Sequence, residues 1–134
     1  MERALVIGAS GGIGAAVAAE LVARGVAVAR LSRRGDGLDV TDAASVDRAL
    51  GALDGPFDLI FVASGILAPE GSGPEKSLDR IDPEQMARVM AVNAIGPALI
   101  LRHAPRLLPK QGRAVVAVKL PGFSGRSGAR MSVS

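Results

Sequence analysis

The chain contains no cysteine, no tryptophan and no tyrosine, with one histidine and three phenylalanines among its 134 residues. Without cysteine there is no disulfide, no thiolate nucleophile and no cysteine-built metal site. The lone histidine, His103, excludes a multi-histidine zinc site, so no metal site is expected. Stacking platforms for single-stranded nucleic acid rest on exposed aromatic rings, which this composition hardly supplies. Long apolar runs are missing as well. The longest uncharged apolar stretch, residues 91–101, is broken by Asn93, Gly96 and Pro97, far short of the roughly 18–20 residues a membrane span needs. Glu2 and Arg3 precede an apolar run, residues 4–7, too short for a targeting segment. A soluble, cytoplasmic protein is the expectation.

What is present reads as one globular domain. The chain is 49% hydrophobic and 22% charged, enough apolar matter for a buried core in a chain of single-domain length. Charge is unevenly spread. Residues 1–84 carry all thirteen acids and eight basic residues, whereas 85–134 carry eight basic residues and no acid. Those bases are scattered and fall in no recognition motif, which argues against a nucleic-acid interface.

Residues 3–7 form a nearly continuous apolar run, the pattern of a strand buried on both faces. A glycine-rich segment follows at 8–12. An alanine-rich run over 13–24 predicts a helix, and Gly25 is a natural residue to end it. A second strand is predicted at 26–31, a very short third within 37–42, a helix at about 43–50 and a fourth strand at 58–62. Only the hexapeptide 32–37 separates the second and third strands, too short for a crossover helix. A loop over 64–77 leads to a helix start in which Asp82 caps, Pro83 takes the first helical position and Gln85 stands in capping-box register. That helix should run toward Leu108, interrupted at Pro97 and Pro105. The fifth strand is expected within 113–119. Residues 121–134 show no periodicity and are expected to be a loose, basic, Gly/Ser-rich tail after a domain spanning 1–120.

Gly8-Ala9-Ser10-Gly11-Gly12-Ile13-Gly14 lies between a strand and a helix. Unpaired N–H groups and aligned peptide dipoles at such a helix start favour a diphosphate, and glycines let the backbone approach it closely. The end of the second strand should reach the adenosine ribose. An Asp or Glu there suits a free 2′-hydroxyl, whereas arginine suits a 2′-phosphate. Ser32, Arg33 and Arg34 stand at that place, so NADP is expected over NAD.

These segments together resemble the N-terminal, nucleotide-binding part of the short-chain dehydrogenase/reductase family, whose members are NAD(P)-dependent oxidoreductases. Gly8 to Gly14 is similar to the family's nucleotide loop. Asp39-Val40 resembles the pair that meets the adenine. Ala63-Ser64-Gly65 stands where the family has Asn-Ala-Gly, its asparagine replaced, and would border the far ribose. Asn93, followed by Gly96, resembles the helix asparagine of the family's catalytic set, which supports a water-linked proton relay. The resemblance covers residues 3–118. It implies a Rossmann-like three-layer α/β domain with a mostly parallel sheet in the order 3-2-1-4-5, and a small carbonyl or alcohol as substrate.

The family's chemistry also needs a serine after strand five and a Tyr-x-x-x-Lys pair about a dozen residues later. Here the strand runs into Val118-Lys119-Leu120-Pro121, and the chain has no tyrosine. Lys119, Ser124 and Ser127 read as bystanders. The expectation is a truncated, inactive form of the enzyme, the alternative a nucleotide-binding or regulatory module without turnover. An incomplete sheet would leave apolar surface on which copies of the chain could associate. His103, Met86 and Met90 read as packing residues and Asp82 as a cap; Asp54 and Asp58 read as turn residues.

Overall fold

The computed structural model describes residues 1–65 and 81–117. A four-stranded, wholly parallel sheet is built from β1 (Arg3–Ile7), β2 (Ala27–Leu31), β3 (Leu59–Val62) and β4 (Arg113–Val116), in the order β2-β1-β3-β4. Helix α1 (Gly12–Ala23) links β1 to β2 and packs on both. After β2 come a single turn, α2 (Arg33–Asp36), and α3 (Ala43–Gly51). Between β3 and β4 lie α4 (Pro83–Met90), a π-helical turn (Ala91–Ile95), α5 (Gly96–Leu101) and α6 (Ala104–Leu107).

The strand register divides the side chains between two faces. Leu5, Ile7, Leu31, Ile60 and Val62 point to one face and form the core with Leu38, Val46, Leu50, Phe57, Ile100 and Leu107. Burial of these side chains is what holds α3, α5 and α6 to the sheet. Ala4 and Val6 point the other way and are fully buried on the face that carries α1. The result is the expected three-layer α/β arrangement, and β1 is buried on both sides, as its unbroken apolar run predicts.

The expected third strand does not form among the described residues. The segment instead folds back on itself: the Asp39 carboxylate accepts hydrogen bonds from the Thr41 N–H (2.9 Å) and hydroxyl (2.6 Å). The Asp39 N–H donates to Ser45 Oγ at 3.0 Å. These local bonds occupy the groups a strand would offer to β2, while Leu38 enters the core and Val40 packs against it. The four strands that do form keep the relative order expected for them. Residues 66–80 and 118–134, which include much of the predicted loop, the end of the fifth strand and the predicted tail, lie outside the described residues.

Both expected interruptions of the long helix occur. Pro97 has no N–H to return to the preceding turn, and the Gly96 N–H reaches the Ala91 carbonyl five residues back, giving the wide π turn. A second break at Arg102 and His103 precedes Pro105, which sits in the first turn of α6.

Candidate functional site

The strand order reverses between β1 and β3, because the chain leaves β1 toward β2 and later returns on β1's other side. A crevice at the carboxyl ends of the strands belongs at such a reversal. Gly8 follows β1 there with φ of +84°, a conformation that side-chain-bearing residues rarely adopt. The N–H groups of Gly8 and Ala9 donate to the Leu31 carbonyl at 2.9 and 3.3 Å, and the Gly11 N–H donates to the Gly8 carbonyl at 3.1 Å. The turn is thereby pinned to the end of β2 and to itself.

Two close approaches explain why glycine stands at both ends of this turn. A Cβ on Gly8 would lie 2.5 Å from the Ala63 carbonyl oxygen and 3.0 Å from the Ser64 nitrogen. A Cβ on Gly14 would collide with the carbonyl of Gly8. The turn therefore packs against the loop leaving β3 on one side and against the first turn of α1 on the other. Gly11 caps α1 without a side-chain hydrogen bond, and the first turn carries no acidic residue. Ser10, Gly11, Gly12 and Ile13 are exposed, with Ile13 half accessible at 50%. An open, uncapped helix start behind a glycine turn is chemically suited to a diphosphate.

The end of β2 is organised by its own cap. Ser32 is buried, its Oγ accepts from the Gly35 N–H at 2.9 Å, and its own N–H donates to Asp36 Oδ2 at 2.9 Å. This reciprocal bonding holds α2, which ends at Gly37 with φ of +65°, and presents Arg33 and Arg34 to solvent. It was not read from the sequence, although serine is a favoured N-cap residue. The bonds from Thr41, aided by the Arg33 charge, hold the Asp39 carboxyl below the usual range.

Val40, half buried, lies against α5. A Cβ on Gly96 would stand 2.9 Å from Val40 Cγ2, so the glycine after Asn93 acts as a contact surface for the Asp39-Val40 segment. Asn93 itself is half buried in the π turn. At the end of β3, Ala63 and Ser64 are half buried and Gly65 is buried. Ser64 Oγ is inaccessible and finds no hydrogen-bond partner among the described residues, a feature with no signal in the sequence.

The structure thus brings Gly8, Gly14, Ala63 and Ser64 together at the strand-order reversal. It sets Val40 against the helix of Asn93, and places Ser32, Arg33 and Arg34 at the next strand end. Lys119, Ser124 and Ser127 fall outside the described residues. His103 is a tie between elements: its Nε2 lies 2.9 Å from Asp47 Oδ1 of α3, and Arg102 Nη2 lies 3.1 Å from the same oxygen. Chiefly through the His103 hydrogen bond, this pairing holds the Asp47 carboxyl below the usual range. Asp58 is more than a turn residue: its Oδ2 accepts from the N–H groups of Glu2 and Arg3 at 2.8 and 3.0 Å, anchoring the start of β1. Among the described residues no group of three or more His, Asp or Glu could hold a metal ion, and no helix is long and apolar enough to cross a membrane.

No protein-family model matches the chain, and no curated protein matches it by sequence. Solved structures do. A small-chain dehydrogenase is 26% identical with a TM-score of 0.73 over 86% of this chain and 58% of its own. A small-chain dehydrogenase in complex with NADPH is 26% identical, with a TM-score of 0.72 over 86% of this chain and 49% of its own. A Burkholderia multivorans protein described as a short-chain dehydrogenase/reductase, solved with bound NADP, is 23% identical, with a TM-score of 0.68 over 86% of this chain and 57% of its own. The chain therefore spans between about half and three fifths of the length of these structures. Its fold is the Rossmann-like α/β fold of these dehydrogenases.

Proposed function

We propose that the chain is an NADP-binding member of the short-chain dehydrogenase/reductase family. The observation that carries this reading is the cradle at the strand-order reversal, where Gly8 is packed against Ala63 and Ser64 and against the first turn of α1. Gly8, Ser10, Gly11, Gly12, Ile13 and Gly14 hold the diphosphate, the glycines by allowing close approach and the exposed start of α1 by its N–H groups. Arg33 and Arg34, exposed at the end of β2, supply the positive charge for a 2′-phosphate, and the Ser32 hydroxyl donates to it. Asp39 and Val40 border the adenine, and Ala63, Ser64 and Gly65 border the far ribose.

When bound, the nicotinamide supplies the hydride exchanged with a carbonyl or alcohol carbon. Proton transfer to or from the substrate oxygen needs a positioned acid or base. Asn93 is the one residue here that corresponds to the family's catalytic set. A small carbonyl or alcohol is the substrate class the family resemblance implies.

The test is titration of the full chain with NADPH and NADH, read by nicotinamide fluorescence or calorimetry. NADPH is expected to bind more tightly, and Arg33→Ala with Arg34→Ala to weaken NADPH by about tenfold per guanidinium while leaving NADH nearly unchanged. Equal affinity for both nucleotides overturns the NADP assignment.

A further inference from the structure

We infer that α1 docks a second copy of this chain: its outer face lies on the open half of the partner's sheet, and the partner's α1 covers the same strip here in return. The inference is independent of the nucleotide reading. A helix that is apolar all round is normally a buried helix. Over its twelve residues α1 carries one charged side chain, Glu20, yet only Gly14 and Ala18 are buried. Ala15, Ala19, Val22 and Ala23 are exposed, Val22 to 51%. The chain's own sheet covers one side of this helix, and nothing among the described residues covers the other.

The same face of the sheet is short of a helix. α1 packs on β1 and β2, and beside it Leu59 and Phe61 are half buried and Val115 is exposed. A layered α/β fold closes such a strip with a helix. One face of the chain thus holds both an apolar helix without a cover and an apolar strip without a helix. A two-fold related copy supplies each to the other, which is the self-complementarity an isologous interface requires.

Charge fixes the occupant and its direction. Arg113 stands opposite Leu59 in register and is exposed; it is the one charged residue of β3 and β4, as Glu20 is of α1. α1 leads into the amino end of β2, the end at which β4 begins, so Glu20 and Arg113 lie toward the same end of the sheet. The Glu20 carboxylate accepts from Arg24 Nε on Oε1 at 2.8 Å, and a carboxylate accepts from more than one donor. With the two-fold axis along the strands, Glu20 meets the partner's Arg113 in both contacts, and such opposite charges set the register of an interface.

The experiment is sedimentation of the full chain over a range of concentrations, for wild type, Ala19→Lys, Val115→Glu and an equimolar mixture of the two variants. Wild type is expected to dimerise. Each variant alone is expected to weaken the dimer by roughly tenfold or more, because both contacts then bury a charge beside one of like sign. The mixture is expected to associate more tightly than either variant, since one contact is native and the other sets the introduced ammonium against the introduced carboxylate. Should either variant not fold, as far-UV circular dichroism would read, Glu20→Arg and Arg113→Glu form a second pair on exposed positions with the same expected pattern. A wild type that stays monomeric, whether because its own residues 118–134 cover the strip or because nothing does, overturns the inference. So does a dimer that the single variants leave intact, and so does a mixture that associates no better than its components.

Discussion

Adding one methyl group at position 14 brings it onto the Gly8 carbonyl, with the backbone of the turn on one side and the first turn of α1 on the other. Neither can yield without opening the cradle. Gly14→Ala is therefore expected to cost about 1–3 kcal/mol of stability and to abolish saturable NADPH binding, checked by denaturant melts and the same titration. At Asp58 the argument is electrostatic. The N–H groups of Arg3 and Glu2, bound to its carboxylate, hold its pKa below the usual range. A carboxyl that is more acidic folded than unfolded stabilises the fold above its unfolded pKa, and that stability is lost as pH falls through the folded value. Wild type should lose thermal stability below about pH 4. Asp58→Asn should melt lower than wild type at pH 7, with the difference narrowing on acidification, as melting curves at several pH values would read.

Elements are joined here by a few specific ties. Asp47 on α3 meets Arg102 and His103 at the break between α5 and α6, and α3 also packs on α5. Asp47→Asn leaves the buried apolar contacts in place and removes one charged acceptor. A modest drop in melting temperature at neutral pH is expected, fading as pH falls, because the Asp47 carboxyl is also held below its usual range. Turn α2 depends on a cap. Ser32→Ala removes the acceptor for the Gly35 N–H and is expected to cost about 1 kcal/mol. It should also weaken NADPH more than NADH, since α2 carries Arg33 and Arg34. Equal weakening of the two nucleotides in a paired titration would separate the cap from any role in cofactor choice.

Over the whole molecule the two sheet faces are unequally covered. The face packed by α3, α5 and α6 is closed, whereas on the α1 face Leu59 and Phe61 are only half buried and Val115 is 43% exposed. β4 is an edge of the described sheet. Exposed apolar edges favour pairing between chains. Val115→Lys is expected to reduce concentration-dependent association in sedimentation without altering nucleotide affinity, because position 115 lies on β4, which β3 separates from β1 and its Gly8 turn.

The residues that make the strands, the glycine turn and the proline interruptions act through near neighbours, and the sequence by itself determined them. An apolar run such as Arg3–Ile7 has few ways to be buried, Gly8 alone tolerates its φ, and Pro97 cannot donate wherever it stands. The glycine motif between strand and helix likewise made the crevice legible before any coordinates. Only the tertiary structure decided that residues 37–42 turn rather than extend, because the choice between bonding Thr41 and Ser45 or pairing with β2 depends on where β2 lies. Only it set Gly96 against Val40, tied His103 to Asp47 and gave Asp58 the start of β1, since each joins residues tens of positions apart. The buried hydroxyl of Ser64, unpaired among the described residues, is of the same kind: burial is a property of everything packed around an atom, and no local pattern of residues encodes it.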